Sequence, residues 1–115
     1  LAFIRSCIVA LMVLGLLSAS GIAAGNVADA PFVDRVNAAM SKMMAGMASE
    51  PTGDADRDFV AWMVPHHQGA IEAAQAELLY GHNVKLRRIA QEIVVTQQQE
   101  IAAMRLAIGL PLSKE

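Results

Sequence analysis

Two adjacent histidines, His66 and His67, follow Met63 in the run Met-Val-Pro-His-His. Helix positions three and four apart share one surface, so this spacing offers a thioether and imidazoles to a single point. Thioether sulfur selects Cu(I), and imidazole accepts copper in both oxidation states. Met40, Met43, Met44 and Met47 crowd together upstream, and Met104 stands downstream. The competing reading makes these methionines adaptable core side chains. His82, next to Gly81, reads as a solvated loop residue.

Other chemistries have little to work with. Di-iron bundles use inward Glu-x-x-His motifs; the chain has none, and Met63-x-x-His66 occupies that spacing with sulfur in place of oxygen. A zinc-protease motif, a nucleophile elbow, a phosphate-binding glycine loop and a haem-attachment motif are all missing from the sequence. One cysteine, Cys7, excludes a disulfide framework. A net charge of −2 and 4% aromatic residues argue against a nucleic-acid surface. A non-enzymatic metal-binding protein is therefore expected. The rivals are a metal-free structural or protein-interaction module, zinc held by His66, His67 and Glu100, and, least favoured, a copper oxidase.

The elements that must position these groups are helices. Val33, Val36, Met40, Met43, Met44 and Met47 recur at helical spacing and predict a first helix over Pro31–Ala48. Ser49–Ala55 carries Pro, Gly and Asp and reads as a turn. Asp56–Tyr80 predicts a second helix with an acidic start at Asp54 or Asp56. Pro65 should kink it, since proline donates no N–H to the preceding turn. Gly81 ends it, Asn83 can cap a third helix to about Ile108, and Gly109 and Pro111 stop that one. With no strand alternation anywhere, the expected fold is an all-α antiparallel bundle of three helices, with room for a second copy to complete it.

On the second helix, Phe59, Met63, His66, Ala70 and Ala74 form one stripe with His67 beside it, while Gln68, Glu72 and Gln75 lie opposite. That stripe is expected to face the core. Leu86, Ala90, Ile93, Gln97, Ile101, Met104 and Ile108 form the stripe of the third helix, with Glu100 on its edge. Simple hairpin packing sets His66 and His67 level with Gln97 and Thr96, Met63 with Glu100, and Phe59 with Met104. The first turn sets Met40 beside Val64, and Met43 and Met44 within a turn of Met63. The expected metal ligands are then Met63, His66 and His67, with Met104 and one or more of Met40, Met43, Met44 and Met47. Gln97 and Glu100 would orient the imidazoles, as partners of metal-bound histidines commonly do.

The chain as a whole is 55% hydrophobic with a mean hydropathy of +0.40. The excess sits at the start, where Arg5 precedes the apolar run Cys7–Leu17 and the small-residue stretch SASGIAAG. This is the order of a secretory signal peptide, so residues 1–24 are expected to be cleaved after Ala24 and the protein to be periplasmic or secreted. The alternative is an uncleaved anchor helix, the one route by which this protein would meet a membrane. Residues 25–31 would then be a linker, 32–109 the bundle and 110–115 a tail. So small a core is marginal alone, which makes a homodimer plausible.

The stretch from Asp56 to Met104 resembles the family catalogued as domain of unknown function 305. Phe59, Met63, His66, His67, Ala70 and Ile71 match its F-x-x-x-M-x-x-H-H-x-x-A-I motif. Ala90, Ile93, Gln97, Glu100, Ile101 and Met104 match its A-x-x-I-x-x-x-Q-x-x-E-I-x-x-M motif. The resemblance implies a ferritin-like bundle, usually exported, and some members are periplasmic copper-binding proteins linked to copper resistance through Met and His ligands. Trp62 and Ala73 stand where relatives often have Met. The combined expectation is an exported protein that sequesters Cu(I) or hands it to a partner protein.

Overall fold

The computed structural model describes residues 29–112, and the segment expected to be a signal peptide or anchor lies outside them. The chain forms α1 (Ala30–Met47), α2 (Ala55–Tyr80) and α3 (Val84–Ala107). Among the described residues there is no strand, and no helix is long and apolar enough to cross a membrane. The fold is all-α, as the periodicity predicts.

Local chemistry sets the helix ends. The Asp54 carboxylate accepts the N–H groups of Asp56 (3.0 Å) and Arg57 (3.2 Å) at the start of α2. Asn83 does the same for Lys85 (2.9 Å) and Leu86 (3.2 Å) at the start of α3. Arg87 reaches back from α3 and donates through Nη1 to the carbonyls of Leu78 (2.6 Å) and Gly81 (3.1 Å). A cation there satisfies carbonyls that the end of α2 leaves open and opposes its dipole.

α1 and α3 both run antiparallel to α2, pack on opposite flanks of it, and scarcely touch each other. The seams are lined by small residues: Ala39, Ala74, Ala76 and Ala90 are buried, and Ile71 is the largest side chain that is fully buried among the described residues. Two glycines set the approach of α1. A methyl group added at Gly46 would lie 2.7 Å from Pro65 Cβ, and one at Gly69 would lie 2.9 Å from Met43 Cβ. α2 continues through Pro65 as a single helix, and the proline ring is seated in the space Gly46 leaves.

The register of α1 differs from the simple hairpin expectation. Met43 meets Gly69, Gly46 meets Pro65, and Lys42 Nζ lies 3.3 Å from Glu72. Each α1 residue therefore sits about two turns further along α2 than expected. Met40 is near the level of Glu72, not Val64, and Met43 and Met44 are level with Gly69 and Gln68, more than a turn past Met63. The cause is the connecting loop, which folds back along the first turns of α2 instead of reversing at its end. Trp62 Nε1 donates to the Ser49 carbonyl at 3.5 Å. Asp58 accepts from the Thr52 N–H (2.8 Å), the Thr52 hydroxyl (2.7 Å) and the Gly53 N–H (3.3 Å), while Gly53 takes the positive φ of 88° that the reversal needs.

The Thr52 N–H first, then its hydroxyl and the Gly53 N–H, hold the Asp58 carboxyl below its usual value of 3.8, against the opposing effect of desolvation. A depressed carboxyl stabilises the fold above its unfolded-state pKa and loses that contribution as pH falls through the folded one. Asp58→Asn is accordingly expected to melt below the wild type at neutral pH. The gap should narrow as the pH drops below 3.8 and close once Asp58 is protonated. A gap that stays constant across that range would show that the carboxylate charge is not what holds the loop.

Candidate metal centre

The two faces of this three-helix layer differ in chemistry. One carries the Lys42–Glu72 pair, Arg57, Gln68, Gln75 and Arg105, all beside the polar stripe of α2. The other carries the stripe Phe59, Met63, His66 and Ala70. The sequence reading set that stripe, with Ala74, against the core; the structure buries Ala74, half-buries Met63 and Ala70, and leaves Phe59 and His66 exposed. The reason is that α2 is gripped on its two flanks, through Gly69 and Ala76 on one side and Val60, Ile71 and Ala74 on the other. Neither neighbour lies over the stripe itself.

His67 is held at both nitrogens. Its Nδ1 lies 2.8 Å from the Met63 carbonyl, which can only accept, so Nδ1 carries a proton. Its Nε2 lies 2.7 Å from Glu100 Oε2. Because both partners are acceptors, both contacts are hydrogen bonds when the ring is an imidazolium. Glu100 thus joins α3 to the centre of α2, one turn beyond the expected pairing with Met63, and Met104 comes level with Met63. A metal ion could take His67 Nε2 only by displacing Glu100.

His66 is in a different situation. It projects onto the open face, its ring 6.0 Å from that of His67 at an interplanar angle of 63°. It is exposed, and no hydrogen bond from the described residues reaches it. At its level α1 presents Met47 half-buried and Met44 62% exposed; one turn further on, Met40 is 48% exposed. Met43 instead fills the seam against Gly69. Met63 and Met104 are half-buried beneath the same face. Core filler would be covered, and two of these thioethers are not.

Gln97 belongs to the same level of α3 but does not meet either imidazole. Its Oε1 is buried without a hydrogen-bond partner, a state that costs of the order of 1–3 kcal/mol. The second-helix stripe points outward, so Gln97 has an acceptor to offer at the edge of the centre and nothing there to receive. Among the described residues no three side chains of His, Cys, Asp and Glu gather closely enough to hold an ion. An ion at this level would have to draw on sulfur, which suits Cu(I) better than zinc. Of the two residues expected from the sequence to orient the imidazoles, Glu100 reaches His67 and Gln97 reaches neither ring; the freedom of His66 had no signal in the periodicity.

The family model described as "Domain of unknown function (DUF305)" matches residues 23–108, which include all three helices. No curated protein matches the chain.

Proposed function

The chain belongs to the DUF305 family, and we propose that it is an exported copper-binding protein that sequesters Cu(I) or hands it to a partner. His66 would supply the open nitrogen, and Met44, Met47 and Met63 sulfurs from the adjoining turns, with Met40 and Met104 a turn further off. His67, clamped between Glu100 and the Met63 carbonyl, keeps the Met63–His67 turn in place. The observation that carries this reading is an exposed imidazole, with no hydrogen-bond partner among the described residues, on an apolar face where Met40 and Met44 are exposed and Met47 and Met63 half-buried. Soft sulfur with one or two nitrogens matches the preference of Cu(I), and the lack of grouped oxygen donors among the described residues disfavours hard cations.

The test is an anaerobic titration with Cu(I) against a competing chelator. The wild type is expected to take copper from the chelator, and the triple variant Met63→Ala/His66→Ala/His67→Ala to lose that ability. Equal competition by the two proteins would rule the reading out.

A further inference from the structure

Domains bury their hydrophobic faces by stacking two layers of secondary structure, and the described residues form a single one. Met40, Met44, Phe59, Trp62, Leu86 and Ile89 stand on or beside the open face and are each between 37% and 62% exposed. At about 200 Å² for a fully exposed side chain of this size, these six alone present roughly 600 Å² of apolar surface. That equals the largest patch expected of a monomer and approaches the ~800 Å² that each partner contributes to a stable interface. The half-buried Met47, Met63, Ile93 and Met104 extend it. The opposite face has an apolar groove of its own at one end, between Val64, Pro65, Ile108 and Leu110, but there it is bordered by Arg57 and Arg105, and further along it carries the Lys42–Glu72 pair and glutamines.

We propose that a second copy of this chain covers the open face, packing face to face about a two-fold axis that crosses α2 near its middle. α2 is the central helix, and His66 lies close to the midpoint of Ala55–Tyr80. With the two α2 helices antiparallel, Trp62, which leans toward α1, falls over the partner's Ala73, which leans the same way. A large group thus meets a small one on both sides of the axis, as an isologous contact requires. His66 of each copy comes to lie beside the axis, and Met44 approaches it from α1 on both sides. On the reading given above, copper would then be held between two chains, and one chain alone would be an incomplete site.

Sedimentation analysis of the purified chain without copper, at about 100 µM, tests this. The wild type should be a dimer. Phe59→Glu, placed on the open face, should weaken dimerisation at least about a hundredfold with unchanged helical circular dichroism. Gln75→Glu, on the opposite face, should remain dimeric. A wild type that stays monomeric with and without Cu(I) would overturn the proposal and leave the face to another protein or to the residues preceding α1. A Phe59→Glu variant that dimerises like the wild type would overturn it too. A dimer that fails to take up Cu(I) would sustain this inference and remove the metal reading instead.

Discussion

His66→Ala is expected to weaken Cu(I) binding by at least about a hundredfold, and His67→Ala by only about tenfold, in titrations against a competing chelator. The difference follows from what each ring can still do. His66 has no partner to give up, so its loss removes a metal–nitrogen bond outright; a hundredfold corresponds to about 2.7 kcal/mol. His67 already spends Nδ1 on the Met63 carbonyl and Nε2 on Glu100. Its removal loosens the turn that aims Met63 and His66, and groups that orient a metal ligand commonly account for 10–100-fold in affinity. Glu100→Gln should have a smaller effect than His67→Ala, because the amide can still hydrogen-bond Nε2 and hold the ring. If His67→Ala is the more damaging of the two histidine variants, then the metal displaces Glu100, and His67 is a ligand.

Gly46→Val is expected to destabilise the protein by about 3 kcal/mol, the upper end of the range for overpacking a tight contact. The first added carbon would lie 2.7 Å from Pro65 Cβ and 3.0 Å from its Cγ, well inside van der Waals contact. The obstacle is a closed ring on a helix backbone, so it cannot rotate away as a longer side chain could. Helix propensity works the other way, since glycine costs up to about 1 kcal/mol in a helix interior. That gain is smaller than the clash and should not rescue the variant. Urea unfolding followed by circular dichroism measures the balance. A variant as stable as the wild type would mean that α1 can move off α2 at little cost.

The helices themselves were legible from the residues. Asn83, Gly81 and the methionine spacing of α1 each mark an element that the structure contains, and the resemblance to the family of residues 59–104 is matched by the family model. Register was not legible. The separation of α1 from α2 in the chain says nothing of whether Ser49–Asp54 reverses at the end of α2 or returns along it, and that choice rests on the Asp58 and Trp62 contacts. Nor could a stripe of Phe59, Met63, His66 and Ala70 announce that Phe59 and His66 would stand exposed. Helical periodicity identifies an apolar face, but which face a neighbour covers depends on where Gly69, Ala76 and Ala74 let another helix come close. The same limit applied to the methionines. Met43 and Met44 are neighbours in the chain, yet one fills a seam and the other stands open, because a single helical step turns a side chain by about 100°.

The arrangement of α1 and α3 on opposite flanks of α2 has a consequence for how the chain unfolds. Neither outer helix supports the other, so cooperativity between them must pass through the middle one. A fault in the seam with α1 can release that helix while the α2–α3 hairpin, fastened by Asn83, Arg87 and the His67–Glu100 contact, keeps its shape. The most localised openings should therefore begin at α1, whose first turn has no side-chain cap from Asp29. A hinge of that kind would free Met44 and Met47 together while leaving His66 in place, which would turn the loosest helix of the fold into the natural gate for a cargo held by sulfur.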